Sequence, residues 1–142
     1  MKKITTLLPV LLPVLLPVAL PVILALYLAT FLTLDYGKST GDTHWLLIWI
    51  DGFPYGDKFM HFTRSFILSA LVACNATLFF NQLKSYYLII ILCLFVTALE
   101  VSQLFIETRA FSLFDLGVEL VGVVAGFWLL KVLSLKYREV SD

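Results

Sequence analysis

Charge is scarce in this chain. Of 142 residues 14% are charged, with 10 lysines and arginines set against 10 aspartates and glutamates for a net charge of zero. Soluble domains carry about a quarter charged residues. No basic patch is available to neutralise phosphates, which excludes a nucleic-acid partner. Cysteine is nearly absent. Cys74 and Cys93 fit neither a metal-ligand spacing nor a disulfide framework and read as small buried thiols. The chain also lacks a Gly-rich phosphate loop, a His-Glu-x-x-His and a Gly-x-Ser-x-Gly, so catalytic readings built on those motifs fail.

Hydrophobic residues are abundant, at 61% of the chain, and the mean hydropathy is +0.96. A single soluble domain of this length could not hide that much apolar surface. Apolar runs longer than about 18 residues recur, each a transmembrane candidate. The pattern predicts an all-α polytopic membrane protein with four transmembrane helices, over residues 4–34, 58–80, 86–106 and 113–133. At 1.5 Å rise per residue the last three each cover roughly 30 Å, the thickness of the hydrocarbon core. The chain thus divides into a proline-repeat first helix (1–34), an extracytoplasmic connection (35–57), a three-helix core (58–133) and a short tail (134–142). Tight connections make the last three spans antiparallel neighbours.

Lys2, Lys3, Lys84, Lys131, Lys136 and Arg138 fall on one side of this topology, and Lys38, Lys58, Arg64 and Arg109 on the other. The bias places both termini in the cytoplasm, and the chain is expected in a plasma (inner) membrane. Asp35, Asp42, Asp51 and Asp57 all lie in the first connection, on the outer side.

The same connection holds His44-Trp-Leu-Leu-Ile-Trp-Ile50, too short to span and too apolar for a free loop. It reads either as an interfacial segment, its indoles in the headgroup zone, or as a cover over the ends of the bundle. A Leu-Leu-Pro-Val repeat puts prolines at 9, 13, 17 and 21, which frees the carbonyls of Thr5, Pro9, Pro13 and Pro17 along one ladder row. That reads either as a hinged helix or as a low-complexity expansion that stays apolar; the expansion is favoured. The segment exceeds a signal-peptide core and no Ala-x-Ala site follows, so cleavage is not expected. Asn75-Ala-Thr77 matches a glycosylation acceptor, but it lies within a span and is discounted.

The remaining polar residues converge. Asp57 and His61 are four apart, and Ser65 and Ser69 continue their stripe, with Arg64 at its edge. Residues at that spacing lie about 40° apart on a helix, hence on one face. Cys93, Thr97, Glu100, Gln103 and Glu107 follow a similar spacing on the third span, and Asp115, Glu119, Gly122 and Gly126 on the fourth. The antiparallel topology then gathers Asp57, His61, Glu100, Gln103, Arg109, Ser112 and Asp115 at the outer ends of three helices, with Glu119 one turn below Asp115.

A carboxylate at the centre of a spanning helix costs roughly 2.5–3.5 kcal/mol, so such groups face the bundle and find partners. Arg109 is placed to serve Glu100 or Asp115 through a bidentate pair. His61 is placed to share a proton with Asp57 or with a carboxylate across the interface. Gly122-x-x-x-Gly126 lets a neighbouring backbone approach closely beneath the cluster. Each element alone has a plainer reading: an Asp–Arg clasp, a hydrogen-bonded histidine, a packing glycine pair. A clasp does not need three acids, an arginine and a histidine together. His61 and Glu100 are therefore the candidate general acid or base. Asp57, Lys58, Gln103, Arg109, Ser112, Asp115 and Glu119 are candidate substrate-binding residues, with Arg109 suited to an anionic group such as phosphate.

Asp57-Lys58-x-x-His61-Phe62, Glu100-x-x-Gln103-x-Phe105, Arg109-x-x-Ser112-x-x-Asp115 and Gly122-x-x-x-Gly126, in this order and spacing, resemble the VanZ-like family of bacterial membrane proteins. The resemblance covers about half the chain, from Asp57 to Gly126; the proline repeat and the tryptophan segment lie outside it. The family usually places asparagine four residues after the aspartate, where this chain has Glu119, an acid in place of an amide. The name-giving member is associated with low-level resistance to the glycopeptide teicoplanin, so the resemblance implies a cell-envelope role and hands over no reaction.

Three function classes follow. The first is a site at the outer face that binds or processes a membrane lipid, a lipid-linked wall precursor or a glycopeptide. The second is a structural or accessory subunit that locks its helices for a membrane partner or a homo-oligomer. The third is an ion or proton pathway. Asp57, His61, Glu100 and Asp115 are acceptable ligand types for a first-row metal, but the inner half of the last three spans has almost no ionisable groups and so no through-path. No metal and no other cofactor is expected.

Overall fold

The computed structural model describes residues 2–41, 45, 48, 49, 52–79, 85–107 and 109–141, with side chains between residues 15 and 132 except at Ser85. Among the described residues there are four long helices, α1 (Lys2–Thr40), α2 (Gly56–Phe79), α3 (Ser85–Ser102) and α4 (Leu113–Ser141). A single 3₁₀ turn, Gln103–Phe105, extends α3. No strand occurs among the described residues. Stretches of all four helices, Leu15–Thr40, Gly56–Phe79, Tyr86–Phe105 and Leu113–Val132, are long and apolar enough to cross a membrane. The chain is a multi-pass membrane protein. Leu15, Val18, Val22 and Leu26 on α1, Ile90, Ile91 and Leu94 on α3, and Val121, Val124 and Trp128 on α4 are exposed, the apolar surface that hydrocarbon would cover.

The helix α1 runs without interruption through all four repeat prolines. It also continues past the expected end at Leu34. Residues 35–40 contain no proline, and Thr30, Thr33 and Ser39 each turn a hydroxyl back to the carbonyl four residues earlier. Gly41, at φ +79°, closes the helix in the left-handed conformation that glycine adopts without steric cost. This extension carries Asp35 and Lys38 on a helix, where the sequence placed them in a connection.

Of the tryptophan segment, Trp45, Ile48 and Trp49 are helical and exposed, and Trp49 meets Phe53 edge-on at 4.7 Å. His44, Leu46, Leu47 and Ile50 lie outside the described residues, as does Lys84.

The packing order differs from the chain order. The helix α4 packs most extensively on α2 and also on α3, whereas α2 and α3 meet at few points; α1 lies against α2. The cause is a pair of small-residue stripes. Ser65 and Ser69 on α2 are buried against Gly122 and Gly126 on α4. A Cβ on Gly122 would stand 2.6 Å from the carbonyl oxygen of Phe62, and one on Gly126 would overlap that of Phe66. The two backbones are thus in contact, as the glycine pair leads one to expect. Ser69 Oγ donates to the carbonyl of Val123 at 2.6 Å across the same seam. Beside it lies the apolar core of Leu68, Leu92, Val96 and Val123, with Tyr27 and Leu28 of α1 packed on it. Further along α2, Asn75 is buried and its amide donates to the carbonyls of Leu71 and Leu20, a structural role within the span.

Candidate functional site

The end of the bundle where α1 and α3 finish and α2 and α4 begin holds a connected polar cluster. Helix geometry builds it. Asp57 opens α2, and His61 and Arg64 follow one and two turns along it. Asp115 opens α4, with Glu119 one turn on. Glu100 lies in the last turn of α3.

Glu119 has no exposure, and its Oε1 accepts from His61 Nδ1 at 2.9 Å and from Arg64 Nη2. Arg64 also reaches Asp35 of α1 at 3.5 Å, and its guanidinium lies 4.5 Å above the ring of Phe31. That stacking is favourable for a desolvated guanidinium. Tyr27 donates its hydroxyl to the carbonyl of Arg64 at 2.8 Å and ties α1 to α2 one turn deeper. Arg109 joins from the α3–α4 connection, donating to Asp35 Oδ1 at 3.0 Å and, through Nε, to Gln103 Oε1 at 3.4 Å. Gln103 Nε2 in turn donates to Glu100 Oε2 at 2.6 Å, and the Ser112 backbone N–H to Glu100 Oε1 at 3.2 Å. Towards the end of the bundle, Lys58 binds Asp115 and lies 3.4 Å from Asp57, and Lys38 donates to Asp57 at 2.8 Å. His61 Nε2 stands 3.7 Å from Asp57 Oδ1.

The candidate catalytic and substrate-binding residues named from the sequence all lie at this end, but several partners differ. Arg109 serves neither Glu100 nor Asp115. Lys58 has taken Asp115, while Glu100 is satisfied by the Gln103 amide and a backbone N–H, so the arginine turns to α1. His61 meets both expected kinds of partner, Asp57 on its own helix and a carboxylate on another. The hydroxyl of Ser112 caps α4, accepting from the Asp115 N–H at 3.2 Å, which gives this residue a structural duty. Glu107 leaves the stripe of α3, because the helix gives way to the 3₁₀ turn and then to extended backbone at Ile106; it is exposed.

Three participants were missed: Asp35, Lys38 and Tyr27. Arg64 was seen only at the edge of a stripe. A signal for Arg64 was present, since a guanidinium two turns inside a span must find a carboxylate or leave the hydrocarbon. Asp35 and Lys38, one turn apart at the end of an apolar run, had a weaker one.

Between α1 and α2 lies a groove of about 340 Å³, within the size range of small-ligand sites. Tyr27, Phe31, Leu34 and Ile67 form its deeper walls, and Lys38, Arg64 and Arg109 line its polar end with Asp35 and His61. Each of the three cations in the lining is already paired with a carboxylate, Lys38 with Asp57, Arg64 with Glu119 and Arg109 with Asp35.

Fold and site together define a multi-pass α-helical membrane protein with a desolvated ionic cluster at one end of its bundle and a groove running from it between two helices. Comparison with protein-family models, with curated proteins and with solved structures finds no match.

Proposed function

We propose that this chain is a VanZ-like protein of a bacterial plasma membrane that binds, and on one reading processes, an anionic cell-envelope amphiphile at the outer face. The class comprises a membrane lipid, a lipid-linked wall precursor or a glycopeptide. The groove carries the reading. Its apolar walls suit a chain, and its end, with Lys38, Arg64 and Arg109, suits a phosphate or carboxylate headgroup. With six of the basic residues assigned to the side of the termini and four to the cluster side, the cluster faces outward and both termini are cytoplasmic. If turnover occurs, His61 and Glu100 are the groups to move a proton, since both are buried beside other acids.

One observation favours a second reading, that of an accessory subunit. Arg64 and Arg109 bridge Asp35 of α1 to α2 and to the α3–α4 connection, as a clasp that holds α1 in place for a membrane partner or a second copy would require.

The two readings part in a mass-spectrometric profile of lipids and lipid-linked wall precursors. The profile compares cells lacking the gene with cells complemented by wild type or by Thr63→Trp at matched protein level. Thr63 lines the groove and takes no part in the ion pairs, so the indole fills the groove and spares the clasp. An anionic species should accumulate both in the deletion and in the Thr63→Trp strain. A Thr63→Trp profile equal to wild type, with the deletion altered, favours the accessory subunit.

A further inference from the structure

Two carboxylates at this end of the bundle, Glu100 of α3 and Glu119 of α4, have no solvent exposure, and His61 of α2 retains 5%. Each of the three offers a ligand atom, and those atoms all lie within 4.8 Å of one another. Among the described residues, Glu100 is hydrogen-bonded by neutral donors, the Gln103 amide and the Ser112 N–H. Glu119 commits Oε1 to His61 and Arg64, but its Oε2 is fully buried and has no hydrogen-bond partner. Buried charged oxygens are paired or coordinate a metal. An imidazole with two carboxylates is a donor set for first-row divalent ions.

We infer that His61, Glu100 and Glu119 form a binding site for a single first-row divalent cation of the zinc or manganese type, with Glu119 Oε2 as the ligand atom already free to receive it. One ligand from each of three facing helices is the way helical bundles build metal sites. Bonds of about 2.1 Å set tetrahedral ligand atoms roughly 3.4 Å apart, so from separations of up to 4.8 Å the side chains need to close by up to about 1.4 Å. Arg64 and the ion divide the two oxygens of Glu119 between them; Arg64 Nη2 also lies 3.3 Å from His61 Nδ1, so the guanidinium has to move off the imidazole as the ion enters. Three protein ligands leave a coordination position for water or for an oxygen of a bound molecule. A second trio, Asp57, His61 and Asp115, is as compact, but Lys38 already holds Asp57 and Lys58 holds Asp115. The buried trio is the one with an oxygen to spare. This site does not rest on the groove's occupant; an ion bound there takes His61 and Glu100 as ligands and so replaces their proton-moving role.

The test uses the full chain purified in detergent, stripped with chelator and re-equilibrated with zinc or manganese. Elemental analysis gives the stoichiometry, and the visible spectrum after cobalt loading reports on the ligand field. Wild type should bind one ion per chain with a cobalt spectrum of nitrogen and oxygen ligation. Glu119→Gln and His61→Asn should weaken binding by at least about tenfold, the scale of a damaged metal site, while Asp57→Asn, which touches the site only through His61, should cost clearly less than either. A wild-type protein that binds no ion and gives no cobalt spectrum overturns the assignment, and needs no variant to fold. Unchanged binding in Glu119→Gln, or loss in Asp57→Asn equal to that in His61→Asn, overturns it as well.

Discussion

Replacing Arg64 by methionine is expected to destabilise the bundle by about 3–5 kcal/mol, the range for removing one partner of a buried ion pair. The substitution keeps most of the side-chain volume, so the effect is electrostatic. Glu119 would lose the one permanently charged group within ion-pair distance among the described residues, keeping only the His61 ring at 2.9 Å and no exposure. Asp35 would retain Arg109 at 3.0 Å, so the burden falls on Glu119. The double variant Arg64→Met with Glu119→Leu should recover most of the loss, because two apolar groups of similar shape leave no orphaned charge. Unfolding in detergent micelles measures both, with abundance in membranes as a second readout. A single variant within about 0.5 kcal/mol of wild type would mean that the arginine does not hold Glu119. A double variant no better than the single would assign the damage to packing against Phe31.

The second large effect is steric. Gly126→Val is expected to cost at least the roughly 1–3 kcal/mol of ordinary core overpacking, and Gly122→Val a similar amount. The obstacle at each position is a backbone carbonyl of α2, Phe66 for Gly126 and Phe62 for Gly122, and a carbonyl in a helix cannot swing aside as a side chain can. The helices must separate. That parts Ser69 Oγ from the carbonyl of Val123, an interhelical hydrogen bond worth about 0.6 kcal/mol on average in a membrane. It also draws His61 and Arg64 away from Glu119, so the damage spreads to the polar cluster. Gly117→Ala supplies the contrast. A Cβ there meets nothing within 4 Å, and the change should be neutral or slightly stabilising through helix propensity. Equal tolerance at all three glycines would refute the close crossing of α2 and α4.

The four spans were legible in the sequence because apolar runs of membrane length have few alternative fates. So was the convergence of His61, Glu100, Asp115 and Glu119, because helical spacing puts each on one face and short connections bring the ends together. Pairing was not legible. Arg109 had two expected carboxylates, Glu100 and Asp115, and the one it binds, Asp35, had been assigned to a connection. That misplacement followed from ending α1 where its apolar run ends. Polar residues extend a helix readily when nothing breaks it, and the breaker here is Gly41, seven residues beyond Leu34. The contact order of the helices was hidden for another reason. Connection length makes α2 and α3 sequential partners, whereas Ser65, Ser69, Gly122 and Gly126 make α2 and α4 the close pair.

The same stripes explain why the cluster stays dry enough to matter. Backbone contact at Gly122 and Gly126 seals the seam directly beneath Glu119, and the core of Leu68, Leu92, Val96 and Val123 lies beside it. Ion pairs in such a setting are screened less than surface pairs, and a headgroup arriving at Arg64 and Arg109 would compete with Asp35 for both. Binding and the clasp on α1 are therefore linked: an anion that takes the arginines would loosen Asp35, and with it the end of α1.

Native mass spectrometry of the protein released from membranes in mild detergent addresses the groove most directly. Wild type should retain an anionic amphiphile, Thr63→Trp should lose it at unchanged thermal stability, and Arg109→Gln should hold it less tightly. A wild-type spectrum with no retained lipid, or the same adduct at the same occupancy in Thr63→Trp, would show that the groove between α1 and α2 is not where an amphiphile binds.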